Sequence, residues 1–572
     1  MIMIKNQESE KIGFAIGILT ACTTLAILPI YAYDAFSGAK LMFISALGAV
    51  SGFYVFKNLN NLSKRLGKFV SVVIVCILLD AIAILVMSKA DITQSFYGIS
   101  GRYTGFLTYL SLSLTLAASA ITSSFLVRKK ISNSLIFCGI LSVIYSILQF
   151  SGRDFIVWDS TAGSQVIGFL GNPNFVSSFL ALSATAVFAK IIGNKNTLAL
   201  NFFYILIILG AGIGLIGANS TQGFLIAILG SAVVLYFYFF YRFKSKTPSR
   251  ITLTILILGV IGGLLDIFQK APWNPFLYGE TISIRGDYWQ AGWNMALANP
   301  VFGVGFDGYL NHFRRSRDLV AANRPGAEIP TDAAHNVLLD YASNGGFVFM
   351  ILNIILLCII FVRGLNYLKN LNKFDPNFVA IFAVWIGFVT QSIISINQLG
   401  LVIWGWVLGG LILGVKYEEK SEGAATPNNL IRRKKKLETD QFTVLIALVA
   451  IVGSTVSLPV VLSDHKFKLA IDNLKALGLY NSANSWPPIT KKMVLVTAVL
   501  TQNKIYKEAK ILSERTLQIN PDSFEGWIIY SQNPLVSELE MAEIKRQLLR
   551  LDPNIPRLGG IDKYLAEKLG GS

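Results

Sequence analysis

Long apolar runs separated by short polar stretches set the rhythm of this chain. A helix that crosses a bilayer needs about 20 apolar residues, and runs of that kind begin near Ile12, Gly38, Phe69, Thr104 and Ile131. Others begin near Phe175, Leu198, Gly223, Ile251, Tyr341, Phe378 and Leu399, and a last one near Phe442, which makes thirteen expected spans. One alternate set of connecting stretches carries Lys57, Lys64, Arg65 and Lys68, then Arg128, Lys129 and Lys130, then Arg242, Lys244, Lys246 and Arg250, and finally Arg432 to Lys436. Basic loops stay on the cytoplasmic side of a membrane. The pattern therefore predicts a cytoplasmic N-terminus and, after thirteen spans, a C-terminus on the outer side.

Two segments depart from short-loop connections. Residues 268–340 form a stretch too long for a plain link, and the alternation puts it on the outer face. The tail at 463–572 is polar, mixed in charge and helical in pattern. In it, Ala509, Pro521 and Trp527 are spaced like the second helix of a tetratricopeptide repeat and the start of the next, and Pro553 follows near the repeat period. A generic helical hairpin explains the same spacing. The expected organisation is a membrane domain over 1–416 with the outer loop 268–340, a basic cytoplasmic linker over 417–440, a last span over 441–462, and an extracytoplasmic helical domain over 463–572. The fold class is all-α: a polytopic membrane protein with about 13 transmembrane helices and a small soluble C-terminal domain.

Composition sharpens this picture. Of 572 residues, 53% are hydrophobic and 15% charged, with a mean hydropathy of +0.56; soluble domains carry about 25% charged residues. Lipid must solvate much of the chain. The net charge of +17 is spread over short loops as membrane topology requires, which argues against nucleic acid as a partner. Cys22, Cys76, Cys138 and Cys358 all lie within apolar runs without metal-type spacing, and they read as small buried hydrophobes. The first run lacks a small-residue cleavage site, so no cleavable signal peptide is expected.

Candidate chemistry gathers in the long outer segment. Two of the three histidines, His312 and His335, fall there, while His465 is in the tail. The segment also holds Arg285, Arg314, Arg315, Arg317 and Arg324. Arginine on the outer face runs against topological sorting, and its planar fork suits phosphate. The alternative is a solvated loop helix in which Arg314, Arg315 and Arg317 pair with Asp318, Glu328 and Asp332, and for these three it is the preferred reading. Gly303, Gly305 and Gly308 make a formal GxGxxG, but no βαβ unit surrounds it, so close backbone turning explains it better. Asp80 falls mid-span, where an ionisable group is a functional suspect or is paired with a polar neighbour such as Gln149 or Gln391.

Four phrases together resemble the O-antigen ligase superfamily of membrane glycosyltransferases. They are GISGRYTGFLTYL from Gly98 to Leu110, GFLGNPNF from Gly168 to Phe175, SIRGDYWQAGWNMALANPVFGVG from Ser283 to Gly305, and AHNVLLDYASNGG from Ala334 to Gly346. The resemblance covers roughly Gly98 to Gly414, and the tail lies outside it. It implies transfer of a glycan from a polyprenyl-diphosphate carrier to an acceptor such as lipid A-core at the outer face of a bacterial inner membrane. A glycan polymerase or a protein O-oligosaccharyltransferase uses the same chemistry, so the acceptor is lipid, glycan or protein.

The roles that follow from the resemblance suit these residues. His335 would accept the acceptor's proton, since an imidazole titrates near the working pH. Arg285 would stabilise the departing diphosphate, and Arg102 and Arg324 would help bind it. Many relatives place another Arg after a Thr-Ser pair, where NSTQG at Asn219 to Gly223 has Gln222. Either Arg102 or Arg324 supplies that cation, or diphosphate binding differs here. No nucleotide, cofactor or metal is expected, because the donor linkage already stores the driving force and Asp287, Asp332 and His335 have no diagnostic spacing. From another class, a lipid-linked glycan transporter fits the many spans, but transporters often show two related halves, and none is evident. The tail is a candidate surface for a protein partner.

Overall fold

The computed structural model describes residues 2–88, 90–158, 165–193, 195–267, 280–323, 330–415, 441–473 and 476–570. Among them every regular element is helical. The membrane domain begins with α1 (Ile2–Leu25), α2 (Ser37–Lys57), α3 (Leu59–Leu66), α4 (Lys68–Met87), α5 (Ile92–Tyr97), α6 (Phe106–Thr122) and α7 (Phe125–Phe150). It continues with α8 (Pro173–Gly193), α9 (Leu198–Ala218), α10 (Thr221–Arg242) and α11 (Thr247–Ile267). The long loop contains α12 (Glu280–Ala298), α13 (Tyr309–Ser316) and α14 (Leu319–Asn323), and α15 (Val337–Lys369), α16 (Pro376–Ile394) and α17 (Leu399–Leu413) complete the bundle. Next come α18 (Gln441–Thr455) and α19 (Leu458–Asn473), which lead into α20 (Ala476–Ala483), α21 (Thr490–Gln502), α22 (Tyr506–Ile519), α23 (Phe524–Ser531), α24 (Glu538–Leu551) and α25 (Ile561–Gly570).

Each of the thirteen apolar runs falls on a helix, and the two ends of the bundle differ. Among the described residues eight helices are long and apolar enough to cross a membrane, or nine if α18 and α19, bent by 52° to each other, form one span. The expected end of that span at 462 falls inside α19. α6 and α17 are shorter, with 17 and 15 residues. At 1.5 Å per residue they reach about 26 and 22 Å, less than the ~30 Å of a hydrocarbon core. Every residue of α17 is buried, so this helix is surrounded by protein and lipid does not set its length.

Burial separates the inner helices from those that meet lipid. The apolar windows of α2, α8 and α16 are each 72% buried, whereas that of α9 is 28% buried. The outward faces carry Phe69, Val72 and Leu79 on α4 and Phe202 and Leu209 on α9. Such surface is unfavourable in water by about 25 cal/mol per Å² and neutral in hydrocarbon.

Several basic residues at one end cap helix termini. Arg363 donates to Leu413 O (2.6 Å) and Leu66 O (3.1 Å), and Arg65 donates to Ser123 O and Gly414 O, both at 3.3 Å. These carbonyls lie at or beside helix C-termini, where the helix dipole is negative, so cations satisfy both charge and hydrogen bonding.

The tail packs as successive helical hairpins, α21 on α22, α22 on α23 and α23 on α24. That arrangement is common to the repeat-like and the generic readings of its sequence. The linker 417–440 lies outside the described residues.

Candidate active site

At the opposite end, the loop face, the chain turns sharply around Asp307. Gly303 has φ +59° and Gly346 φ +82°, and a side chain on either would meet backbone: Asn344 and Gly345 for the first, Pro300 and Val301 for the second. Only glycine permits both the left-handed conformation and this approach. Val304 N then donates to Ser343 O (2.8 Å) and Phe347 N to Pro300 O (2.8 Å). The GxGxxG segment is thus a packing device against the kink that Gly346 puts in α15. It holds the end of α12 against the start of α15, and with them Arg285 and His335.

Arg102 is the electrostatic hub of this end. It is 7% exposed, with Asp307 at 4.0 Å, Asp332 at 3.8 Å and Asp340 at 3.8 Å, and its Nη1 donates to Asp332 O at 2.5 Å. The carboxylates have further partners. Asp307 accepts from Ile99 N and Thr104 N, both at 3.0 Å, and Asp340 accepts from Ala334 N at 2.8 Å. One buried cation therefore joins the loop after α5, the loop before α13 and the segment that carries His335. Its single positive charge already faces three carboxylates.

The structure brings His335 within electrostatic reach of Arg285. His335 has φ +54° and directly precedes Asn336, whose side chain caps α15 by accepting from Leu338 N (3.0 Å) and Leu339 N (3.2 Å). Tyr288 stacks on the His335 ring, centroid to centroid 5.6 Å at 29°. Arg285 stands three residues before Tyr288, on the same face of α12. Burial, chiefly, and the Arg285 charge next push the imidazole down from 6.5 to about 4, with Asp332 opposing. His335 is therefore neutral at physiological pH and free to accept a proton. Burial also lowers the Arg285 pKa from its ordinary value.

His335, Tyr288 and Asp332 line a cavity of about 560 Å³ whose far wall is the C-terminal domain, from Pro487 to Lys491 and at Asn520, Ser523 and Glu525. Arg102 faces its three aspartates behind this cavity. Arg324 lies outside the described residues. Asp287, Asp332 and His335 make no metal-type cluster among the described residues.

Arg314, Arg315 and Arg317 require a correction. They are not a solvated face of the loop; they meet acids of the C-terminal domain. Arg314 reaches Glu525 (3.4 Å), Arg315 reaches Asp522 (2.9 Å) and Arg317 reaches Asp552 (2.7 Å). The partners are more than 200 positions away, beyond what local spacing shows. His312 lies 3.9 Å from Asp522. That contact favours the imidazolium, but burial and the Arg315 charge outweigh it and hold the ring down at about 4. His465 stacks on Tyr31 at 3.7 Å, away from this site.

Gln222 donates to Ser178 Oγ (2.9 Å), and Ser220 donates to Asn174 Oδ1 (2.7 Å), so the NSTQG segment joins the Gly-Asn-Pro-Asn turn. Neither glutamine suggested for Asp80 serves it: Gln149 binds Asp154 (2.7 Å) and Gln391 donates to Ile396 O (3.5 Å). The reading from sequence missed Tyr288, whose only signal is its i+3 spacing from Arg285. It also missed the aspartate ring around Arg102.

A helical membrane protein with a neutral histidine at a cavity on one face, and an arginine whose charge acts on that histidine, is the class these features define. Residues 203–354 match the family model described as O-Antigen ligase. Over that stretch the similarity supports a membrane ligase or polymerase-type function. The match runs from α9 into α15 and includes Arg285, Tyr288 and His335; it is narrower than the stretch over which the phrases resemble the family. A search of curated proteins finds no match to the chain.

Proposed function

We propose that the chain transfers a glycan from a polyprenyl-diphosphate carrier to an acceptor hydroxyl at the outer face of the inner membrane, without metal or nucleotide. The observation that carries this reading is that the Arg285 charge acts on His335, from a segment fifty positions away, while His335 lines a cavity that reaches from the membrane domain to the tail. The acceptor oxygen attacks the anomeric carbon and gives its proton to His335. The bond from that carbon to the diphosphate oxygen breaks, and the electron pair leaves with the carrier, where the Arg285 guanidinium stabilises the growing charge. A diphosphate beside Arg285 also offsets the charge that depresses His335, which raises its basicity toward the working pH.

Arg102, whose charge already faces three carboxylates, is proposed to hold the Asp332–His335 segment in place; Arg324 remains the further candidate for donor binding. Lipid A-core, a growing glycan or a protein are the acceptor classes this chemistry serves.

The test is transfer by purified protein in the presence of EDTA, with a lipid-diphosphate-linked glycan in one arm and a nucleotide sugar in the other. Product in the first arm alone agrees with the proposal. Product that needs a divalent metal, or that forms from the nucleotide sugar, overturns it.

A further inference from the structure

The C-terminal domain forms one wall of the space in front of His335. The cavity of about 560 Å³ adjoins a second, of about 610 Å³, along the same interface; Ser100, Pro330, Lys491, Val494 and Glu525 line both. Each is within the ~300–1,000 Å³ usual for a ligand site. Placed end to end, they suit an elongated ligand better than a compact one.

The lining also specifies chemistry. The first cavity presents carboxylates at Asp91, Asp332 and Glu525 and one ammonium, Lys491. Asp91 is engaged as the cap of α5, Asp332 shares Arg102, and Glu525 shares Arg314. No excess positive charge remains in that lining to attract a phosphate-rich ligand. Side-chain amides and hydroxyls make up much of the polar surface. Asn520 is 4% exposed, its Oδ1 accepts from Asp522 N (3.2 Å), and its Nδ2 has no hydrogen-bond partner. A buried donor without a partner costs about 1–3 kcal/mol, and a turn of the amide toward the cavity that Asn520 lines would let a ligand oxygen relieve that cost.

We infer that the paired cavities between the membrane and C-terminal domains bind a neutral, hydroxyl-rich oligosaccharide chain, which lies with one end toward His335 and is gripped from outside by the tail. This rests on the proposed function only in calling the bound chain the acceptor. The tail is then a part of the acceptor site, and it selects by length and charge.

The test reads binding with no donor present, so a failure of the transfer chemistry would leave it standing. Purified full-length chain in lipid nanodiscs is applied to an array of neutral, amino and phosphorylated oligosaccharides. Neutral chains of several sugars are expected to retain the protein. Lys491→Trp fills the junction of the two cavities from an exposed position that folding tolerates; it is expected to lower binding at least about tenfold with an unchanged Tm. Asn520→Ala, which removes the unused donor without filling the space, is expected to weaken binding less. Binding confined to phosphorylated glycans, no glycan binding, or equal binding by Lys491→Trp overturns the inference.

Discussion

Arg317 and Asp552 are 235 positions apart, yet their side chains meet at 2.7 Å with exposures of 1% and 0%. Asn554 adds a bond from Nδ2 to Arg317 O at 3.2 Å. This buried pair fastens the segment after α13 to the end of α24, and with it the C-terminal domain to the loop face. Removing one partner strands a desolvated charge, which costs about 3–5 kcal/mol. Asp552→Ala is therefore expected to release the domain, read as faster hydrogen exchange in 476–570. Replacing both residues by apolar ones of similar volume is expected to recover most of the protection.

Acid should loosen the fold through its two half-buried histidines. His312 and His335 are each held down to about 4 from 6.5. Between those values the unfolded chain takes up protons that the folded chain refuses. Their contribution to stability is complete above about pH 6.5 and declines as the pH falls toward 4. His312→Gln removes one such group, so its Tm should fall less steeply than that of the wild type from pH 7 to pH 4.

The same shift bears on activity. A base must be unprotonated to work, so the acid limb of kcat/KM for transfer is expected near pH 4 and not near the 6.5 of an ordinary imidazole. A pH–rate profile with purified donor decides this; half-loss of activity near 6.5 would mean that the titrating group is not His335 in this setting.

Gly346→Ala tests the kink. Its φ of +82° and the nearby Pro300–Val301 backbone leave no room for a methyl group. Strain of this kind costs about 1–3 kcal/mol, and the α12–α15 contact that aligns Arg285 with His335 should shift. A lower Tm with a larger loss in kcat than in KM is expected.

Arg102→Leu should be more damaging to folding than to chemistry as such. It leaves Asp307, Asp332 and Asp340 facing one another without their cation, and stability should fall by roughly 3–5 kcal/mol. A thermal melt in detergent measures this directly. An unchanged Tm would contradict the role of Arg102 as the hub.

Much of this architecture is legible in the sequence, because apolar length is a local signal. The runs that begin near Ile12 through Phe442 each became a helix, and the glycines of 303–308 turned the backbone closely, as their residue type requires. Arg285 and His335 were legible as candidates through their motifs, but their coming within electrostatic reach depends on the loop folding back through Gly303 and Gly346. The apolar runs of α6 and α17 were legible too, but their short length and burial were not, since hydropathy does not record whether lipid or protein surrounds a helix. The partners of Arg314, Arg315 and Arg317 were hidden for another reason. An ion pair is chosen by tertiary proximity, and Glu525, Asp522 and Asp552 are near these arginines in space though far away in sequence.

The central claim is that His335 and Arg285 act together on a lipid-diphosphate donor. It is tested most directly by single-turnover transfer with wild type, His335→Ala and Arg285→Lys, each shown to fold by its Tm. A loss of at least about a hundredfold is expected for His335→Ala, and a severe loss for Arg285→Lys, which keeps the charge but not the fork. Near-wild-type transfer by either variant would contradict it.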